Sequence, residues 1–179
     1  HPAKLLQLDP KDPAQMTTAL NSDLQERRLT AQRLLVEGRL TAATDGLKKL
    51  VTANDGAIGA LHALWALHGL GALDEATWNA ALLAKDARLR RNAVRALAAD
   101  ASGQKLYFGS GVVSDPEPLT RLAALVKLAE FPTTPQIQTL VKSLSTDGVL
   151  LGDEWLREAA RLLRRKHQTE ATFKEGPNL

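Results

Sequence analysis

"DARLRRNAVRAL", residues 86–97, decides the fold because the chain repeats it. An acid is followed by Arg four places later, Ala seven later and Leu eleven later: Asp86, Arg90, Ala93, Leu97. "EPLTRLAALVKL" (117–128) gives Glu117, Arg121, Ala124 and Leu128 in the same register. "DEWLREAARLL" (153–163) gives Asp153, Arg157 and Ala160, with Leu163 one place early. "DLQERRLTAQRLL" (23–35) gives Asp23, Arg27 or Arg28, Ala31 and Leu35. "ALHALWALHGL" (60–70) fits through Ala63 and Leu67 but without the acid and the base. The marker alanines at 31, 63, 93, 124 and 160 are 32, 30, 31 and 36 residues apart.

A period near thirty accommodates two short helices per unit, each pair burying its apolar side against its neighbours. Leu89, Ala93 and Leu97 fall at i, i+4 and i+8, one side of a helix. Asp12-Pro13, Asp74 and Thr134-Pro135 place capping residues at helix starts, two with Pro in the first turn. Ser22 with Gln25 reads as a capping box, Gly38 as a C-terminal cap, and Pro132 stops a helix after Phe131. The pattern predicts helices near 13–21, 23–37, 39–52, 57–69, 75–84, 86–99, 102–109, 116–130, 135–144 and 153–167. "SGQKLYFGSGVVS" (102–114) is the least regular segment. The fold class expected is all-α, an α-solenoid of about five HEAT-like helix pairs over residues 1–167, followed by a mobile C-terminal tail at 168–179.

Composition agrees with helices. Of 179 residues 33 are Leu and 28 Ala, while aromatics make up 4%, so helices must approach closely at Ala rather than around large rings. The absence of Cys excludes disulfides, thiolate zinc sites, Cys nucleophiles and CxxCH haem attachment within this chain. With 23 bases against 20 acids the formal charge is only +3, a balance that does not demand a polyanionic partner. Residues 1–12 lack the basic-then-apolar order of a secretory signal, and His1 in place of Met suits a processed chain, an excised domain or a tag remnant.

The run from 56 to 73 carries no charge but holds His62, His68 and four Gly, too short and too broken for a membrane span. His62 and His68 are six apart and diverge by roughly 120° on a helix, whereas paired helical ligands sit three or four apart. The expectation is packing: Trp65 in the inter-helix core and His68 half-buried near a turn, with Gly69 or Gly71 making that turn. No GxSxG, HExxH, P-loop or complete GxGxxG occurs, so no catalytic, cofactor-binding or metal residues are assigned.

The remaining candidates are basic: Arg90, Arg91, Arg121, Arg157, Arg161 and Arg164, with Arg165 and Lys166 beside them. Pairing with the acid four residues earlier, or with the acid of the adjacent repeat, would make a ladder fixing repeat stacking, each exposed pair contributing about 0.3–0.5 kcal/mol. Alignment on one layer would make an anion-binding track of the kind nucleic-acid binders use. The nearby acids and the scarcity of aromatics for stacking favour the ladder.

"TAQRLLVEGRLTAA" (30–43), "LHALWALHGLGALDEATWNAALLAKDARLRRNAVRALA" (61–98) and "DEWLREAARLL" (153–163) resemble the HEAT region of large bacterial proteins known as PVC-type haem-binding CxxCH or membrane-bound dehydrogenase-like proteins. In that family a β-propeller precedes the array and a c-type haem domain follows it. This chain has neither a propeller nor a CxxCH, so no catalytic or haem-ligating residue carries over. The resemblance implies an exported or periplasmic, oxidoreductase-associated parent in which this section is a non-enzymatic scaffold for a protein partner or a neighbouring domain. No cofactor is expected in the chain itself. The main rival reading is a basic-track nucleic-acid binder, and a third is a HEAT-type enzyme or lyase using Trp65, His62 and His68.

Overall fold

The computed structural model describes residues 7–53 and 56–174. Among the described residues every regular element is helical: eleven α-helices joined by turns and three short 3-10 segments, with no strand. The chain divides into two compact units, His1–Ala96 and Leu97–Leu179.

The first unit contains α1 (Pro13–Ala19), α2 (Gln25–Glu37), α3 (Thr44–Thr52), α4 (Ile58–Gly69), α5 (Glu75–Leu82) and α6 (Ala87–Ala96). Successive helices pack in pairs, α1 on α2, α3 on α4 and α5 on α6. Each also packs on the helix two further along: α1 on α3 on α5, and α2 on α4 on α6. The second unit contains α7 (Ala101–Ser110), α8 (Pro118–Glu130), α9 (Pro135–Ser143), the short α10 (Gly148–Gly152) and α11 (Glu154–Lys174). There α11 is the hub, packed by α8, α9 and α10.

The marker alanines lie where the frame requires. Ala31, Ala63, Ala93, Ala124 and Ala160 are all buried, as are Leu35, Leu67, Leu97, Leu128 and Leu163. Three predicted caps form: Asp12 accepts from Gln15 N–H, Asp74 from Thr77 N–H and Thr134 from Ile137 N–H. Lys48 from α3 also reaches Asp74 at 2.6 Å, and these bonds, that from Lys48 foremost, hold the Asp74 carboxyl down to about 2.

Other expectations are corrected. Ser22 and Gln25 make no capping box: α2 begins later, with Leu24 at the N-cap and no side-chain cap, and Ser22 Oγ accepts from Leu24 N–H instead. Gly38 is the C-cap residue, but the left-handed turn falls on Arg39 (φ 49°), whose N–H donates to Val36 while Leu40 N–H donates to Leu35. That double bond is a Schellman motif, and it prevents a new helix from starting at 39. The next segment is therefore a 3-10 turn, Thr41–Ala43, before α3. The same motif closes α4 with Gly71 in the left-handed position (φ 66°). The short α10, capped by Asp147 on Leu150 N–H, was not predicted; it lies between two glycines that argue against a helix. The expected tail is helical as far as Lys174, since the first breaker in the sequence is Gly176-Pro177. The rest of that tail, 175–179, lies outside the described residues, as do residues 1–6.

Two stability predictions follow from local geometry. A Cβ added at Gly103 would sit 1.9 Å from Ala98 O, a backbone atom that cannot step aside. Gly103→Ala should therefore cost more than about 2 kcal/mol in urea unfolding; a loss near zero would show that the α7 start can slide. Leu24, 43% exposed in extended backbone, occupies a vacant N-cap position, so Leu24→Asp should stabilise by about 1 kcal/mol. An unchanged unfolding midpoint would contradict that reading of the α2 start.

Candidate interaction surface

The repeat's acids and arginines do structural work inside the connectors. Glu117 caps α8 by accepting from Thr120 N–H (2.7 Å) and Oγ1 (2.9 Å). Asp153 accepts from Leu156 N–H at 2.9 Å, and Asp86 is taken by Arg88 through Nη2 (2.7 Å) and Nε. Arg90 turns back onto its own connector, one Nη1 reaching Ala84 O (2.8 Å) and Lys85 O (2.9 Å). Arg28 does the same to Ser22 O (2.7 Å) and Asp23 O (3.1 Å). Both arginines stand three before the marker alanine and grip carbonyls six and five residues back. Arg28 is thus the true counterpart of Arg90, and Arg27 is not. Charge-assisted bonds of this kind fix the turn between paired helices.

The other basic candidates are dispersed. Arg90 and Arg91 belong to the first unit, and Arg121, Arg157, Arg161 and Arg164 to the second. Arg121 is only 5% exposed and binds the Asp147 carboxylate. Leu150 N–H first, and Arg121 after it, hold that carboxyl below its usual range, against the desolvation that opposes them. Arg157 is exposed, and Arg161 is exposed and paired with Glu158 at 2.7 Å. Arg91 and Arg164 are half-buried, Arg165 is exposed, and Lys166 donates to Ala129 O. The first unit carries 13 bases against 10 acids and the second 10 against 10, so neither builds a strong basic field.

Trp65 and His68 do not sit where the sequence placed them. Trp65 is half-buried and His68 exposed, because the face α4 buries runs through Ala60, Ala63, Leu64 and Leu67. The two rings meet edge to face at 5.5 Å. Asn92 Oδ1 on α6 accepts from Trp65 Nε1 at 3.0 Å, which leaves the ring's apolar side toward a groove of about 410 Å³ between α2 and α4. Leu29, Val36 and the exposed Arg33–Glu37 pair line it. His62 belongs to a separate network: Arg28 Nε donates to its Nε2 at 3.2 Å, so Nδ1 carries the proton and donates to Gln32 Oε1 at 2.7 Å. Among the described residues no three His, Cys, Asp or Glu side chains are grouped to hold a metal ion. None of the described helices is long and apolar enough to cross a membrane.

The surface most at odds with ordinary burial is on α8 and α11. Helix α8 buries two cations, Arg121 and Lys127, each 5% exposed, yet leaves Leu119 and Val126 more than half exposed. Lys127 Nζ is held by Leu97 O at 2.9 Å and Glu130 Oε2 at 2.5 Å. On the neighbouring α11, Trp155 is 73% exposed and Leu162 51%. Leu119 and Trp155 each stand five before the marker alanine of their helix, and Val126 and Leu162 two after. The four apolar side chains therefore occupy equivalent places on two packed helices. Sequence reasoning missed this patch because a leucine-rich helix reads as core all round, and only its neighbours decide which leucines are covered. The signal available was that shared offset from Ala124 and Ala160.

No family model matches the chain, and no match appears among the curated proteins or the solved structures.

His62 yields a pH prediction. Burial first, and the Arg28 charge second, lower its pKa from 6.5, so the unfolded chain takes up the proton before the folded one does. Its contribution to stability is complete above 6.5 and is lost as pH falls through the lower, folded value. The urea midpoint should drop between about pH 7.5 and pH 5, and His62→Asn should remove part of that drop. An identical pH profile in the variant would exclude His62 as the titrating group.

Proposed function

We propose that this chain is a non-catalytic helical-repeat scaffold whose helices stack as HEAT-like pairs and whose role is to bind protein. The observation that carries this is the inversion of α8, with Arg121 and Lys127 buried while Leu119 and Val126 face solvent. Exposed apolar patches of this kind mark protein interfaces. The two rows of helices in the first unit and the burial of all five marker alanines support the repeat reading. The resemblance to the HEAT region of haem-binding CxxCH and dehydrogenase-like proteins supports a place within a larger, exported, oxidoreductase-associated assembly.

The arginines that suggested a nucleic-acid track are better accounted for as connector clamps and paired ions, and acids stand beside them on α11. Binding to a duplex DNA oligonucleotide should be no tighter than about 100 µM at physiological salt, with a shallow salt slope. Submicromolar binding that falls by orders of magnitude between 50 and 200 mM salt, about the loss seen for a protein with many phosphate contacts, would replace the scaffold with a nucleic-acid binder.

A further inference from the structure

One face of α11 orders its exposed charges along the helix, while the exposed Arg157 lies outside that face. On that face Glu154 and Glu158 stand in the first two turns of the helix, and Arg161 and Arg165 follow in the next two. At 100° per residue, Glu154, Trp155, Glu158, Arg161, Leu162 and Arg165 fall within about 120° of the helix circumference. One face thus carries an apolar pair, Trp155 and Leu162, beside a row that runs from acidic to basic. A polyanion would meet the two glutamates, and a uniformly acidic or basic peptide would satisfy only half the row. The complement this face requires is apolar, with its charges in the reverse order.

That complement is the same face turned end for end. We infer that the α8–α11 face joins two copies of this chain, their α11 helices antiparallel about a twofold axis; the inference rests on the scaffold reading and names its partner. In this pairing Glu154 faces Arg165 of the second copy, and Glu158 faces Arg161. Both contacts occur twice, as a self-complementary interface demands. Trp155 and Leu162 then cover the same residues of the second copy, with Leu119 and Val126 of α8 extending the apolar area. The Glu158–Arg161 pair within one chain is about half exposed on both sides, so each member keeps open valence for a second partner.

Sedimentation velocity on the full chain over about 5–200 µM, where mass action governs assembly, should show the mass of two chains at the upper end. Trp155→Asp should be monomeric throughout, with the wild-type thermal midpoint at dilutions where both are monomeric, because the side chain is 73% exposed. The decisive arm uses two charge variants. Arg161→Glu with Arg165→Glu makes the row wholly acidic, and Glu154→Lys with Glu158→Lys makes it wholly basic. Each variant alone should be monomeric, while an equimolar mixture should form a dimer containing one chain of each, tighter than either self-association by at least about tenfold. A wild-type monomer at the highest concentration overturns the inference, as do variants that dimerise alone or a mixture that stays monomeric. Each of those results leaves the scaffold reading in place, since that reading falls only to tight, salt-steep DNA binding.

Discussion

The alanine at the centre of each second helix is the constraint on which the packing depends. Ala31, Ala63 and Ala93 are fully buried on α2, α4 and α6, three helices that pack on one another in series, and Ala124 and Ala160 are buried on the packed pair α8 and α11. A single methyl lets two helix backbones approach closely, and a buried Leu follows four residues on, or three on at Leu163. A bulkier side chain would hold the helices apart and open the seam along both neighbours. Large rings enter where this rule relaxes. Tyr107 in α7 fills the space beside Phe131, its hydroxyl donating to Ala124 O at 3.0 Å, and burial raises its pKa well above the ordinary value.

Around that apolar joint several polar residues of the repeated frame act locally. Glu117 and Asp153 cap their helices, and Arg90 and Arg28 fold back over carbonyls of the preceding turn, whereas Arg121 reaches Asp147 on a later segment. Seen only in sequence, an acid and an Arg at i and i+4 look like an ion pair, which is the ladder the spacing suggested. In space Glu117 and Asp153 face the first N–H groups of their helices, and Arg90 and Arg28 face the preceding turn. A backbone group buried without a partner costs more than an exposed ion pair contributes, so turn carbonyls are a strong claim on a nearby guanidinium. This is why matching arginines in successive repeats do not imply a matching ligand.

Most helix boundaries were legible because they are set by short-range chemistry: Asp12, Asp74, Thr134 and Pro132 act within a turn of where they stand. The failures share a different cause. Trp65 was placed in the core by its position on a stripe, but α4 turns a neighbouring stripe through Ala60, Ala63, Leu64 and Leu67 inward and leaves Trp65 half-buried. The Ser22–Gln25 box lost to a later start at Leu24, where Arg28 already ties the connector down. The helical course of 168–174 was missed by giving weight to position near the end of the chain rather than to the lack of any breaker before Gly176. Likewise, no pattern within α8 could say that its lysine and arginine would be the buried residues, since Asp147 and Leu97 O, which hold them, lie on other segments.

That inversion is the feature that folding alone does not explain. Leaving a Leu, Val or Trp exposed forgoes about 1.5–3 kcal/mol of burial apiece. Burying a cation costs several kcal/mol before its hydrogen bonds offset the loss. A helix optimised only for an isolated fold would exchange the two sets: Leu119 and Val126 inward, Arg121 and Lys127 outward. Arg121 and Lys127 are satisfied instead by Asp147, Glu130 and a backbone carbonyl, which draws the charge down and frees the outer stripe to be apolar. Their long aliphatic stems contribute to the core that this arrangement would otherwise lack. The outer side of α8 thus presents Leu119 and Val126 with Glu130 as its exposed charge, while the two cations of the helix are neutralised beneath it.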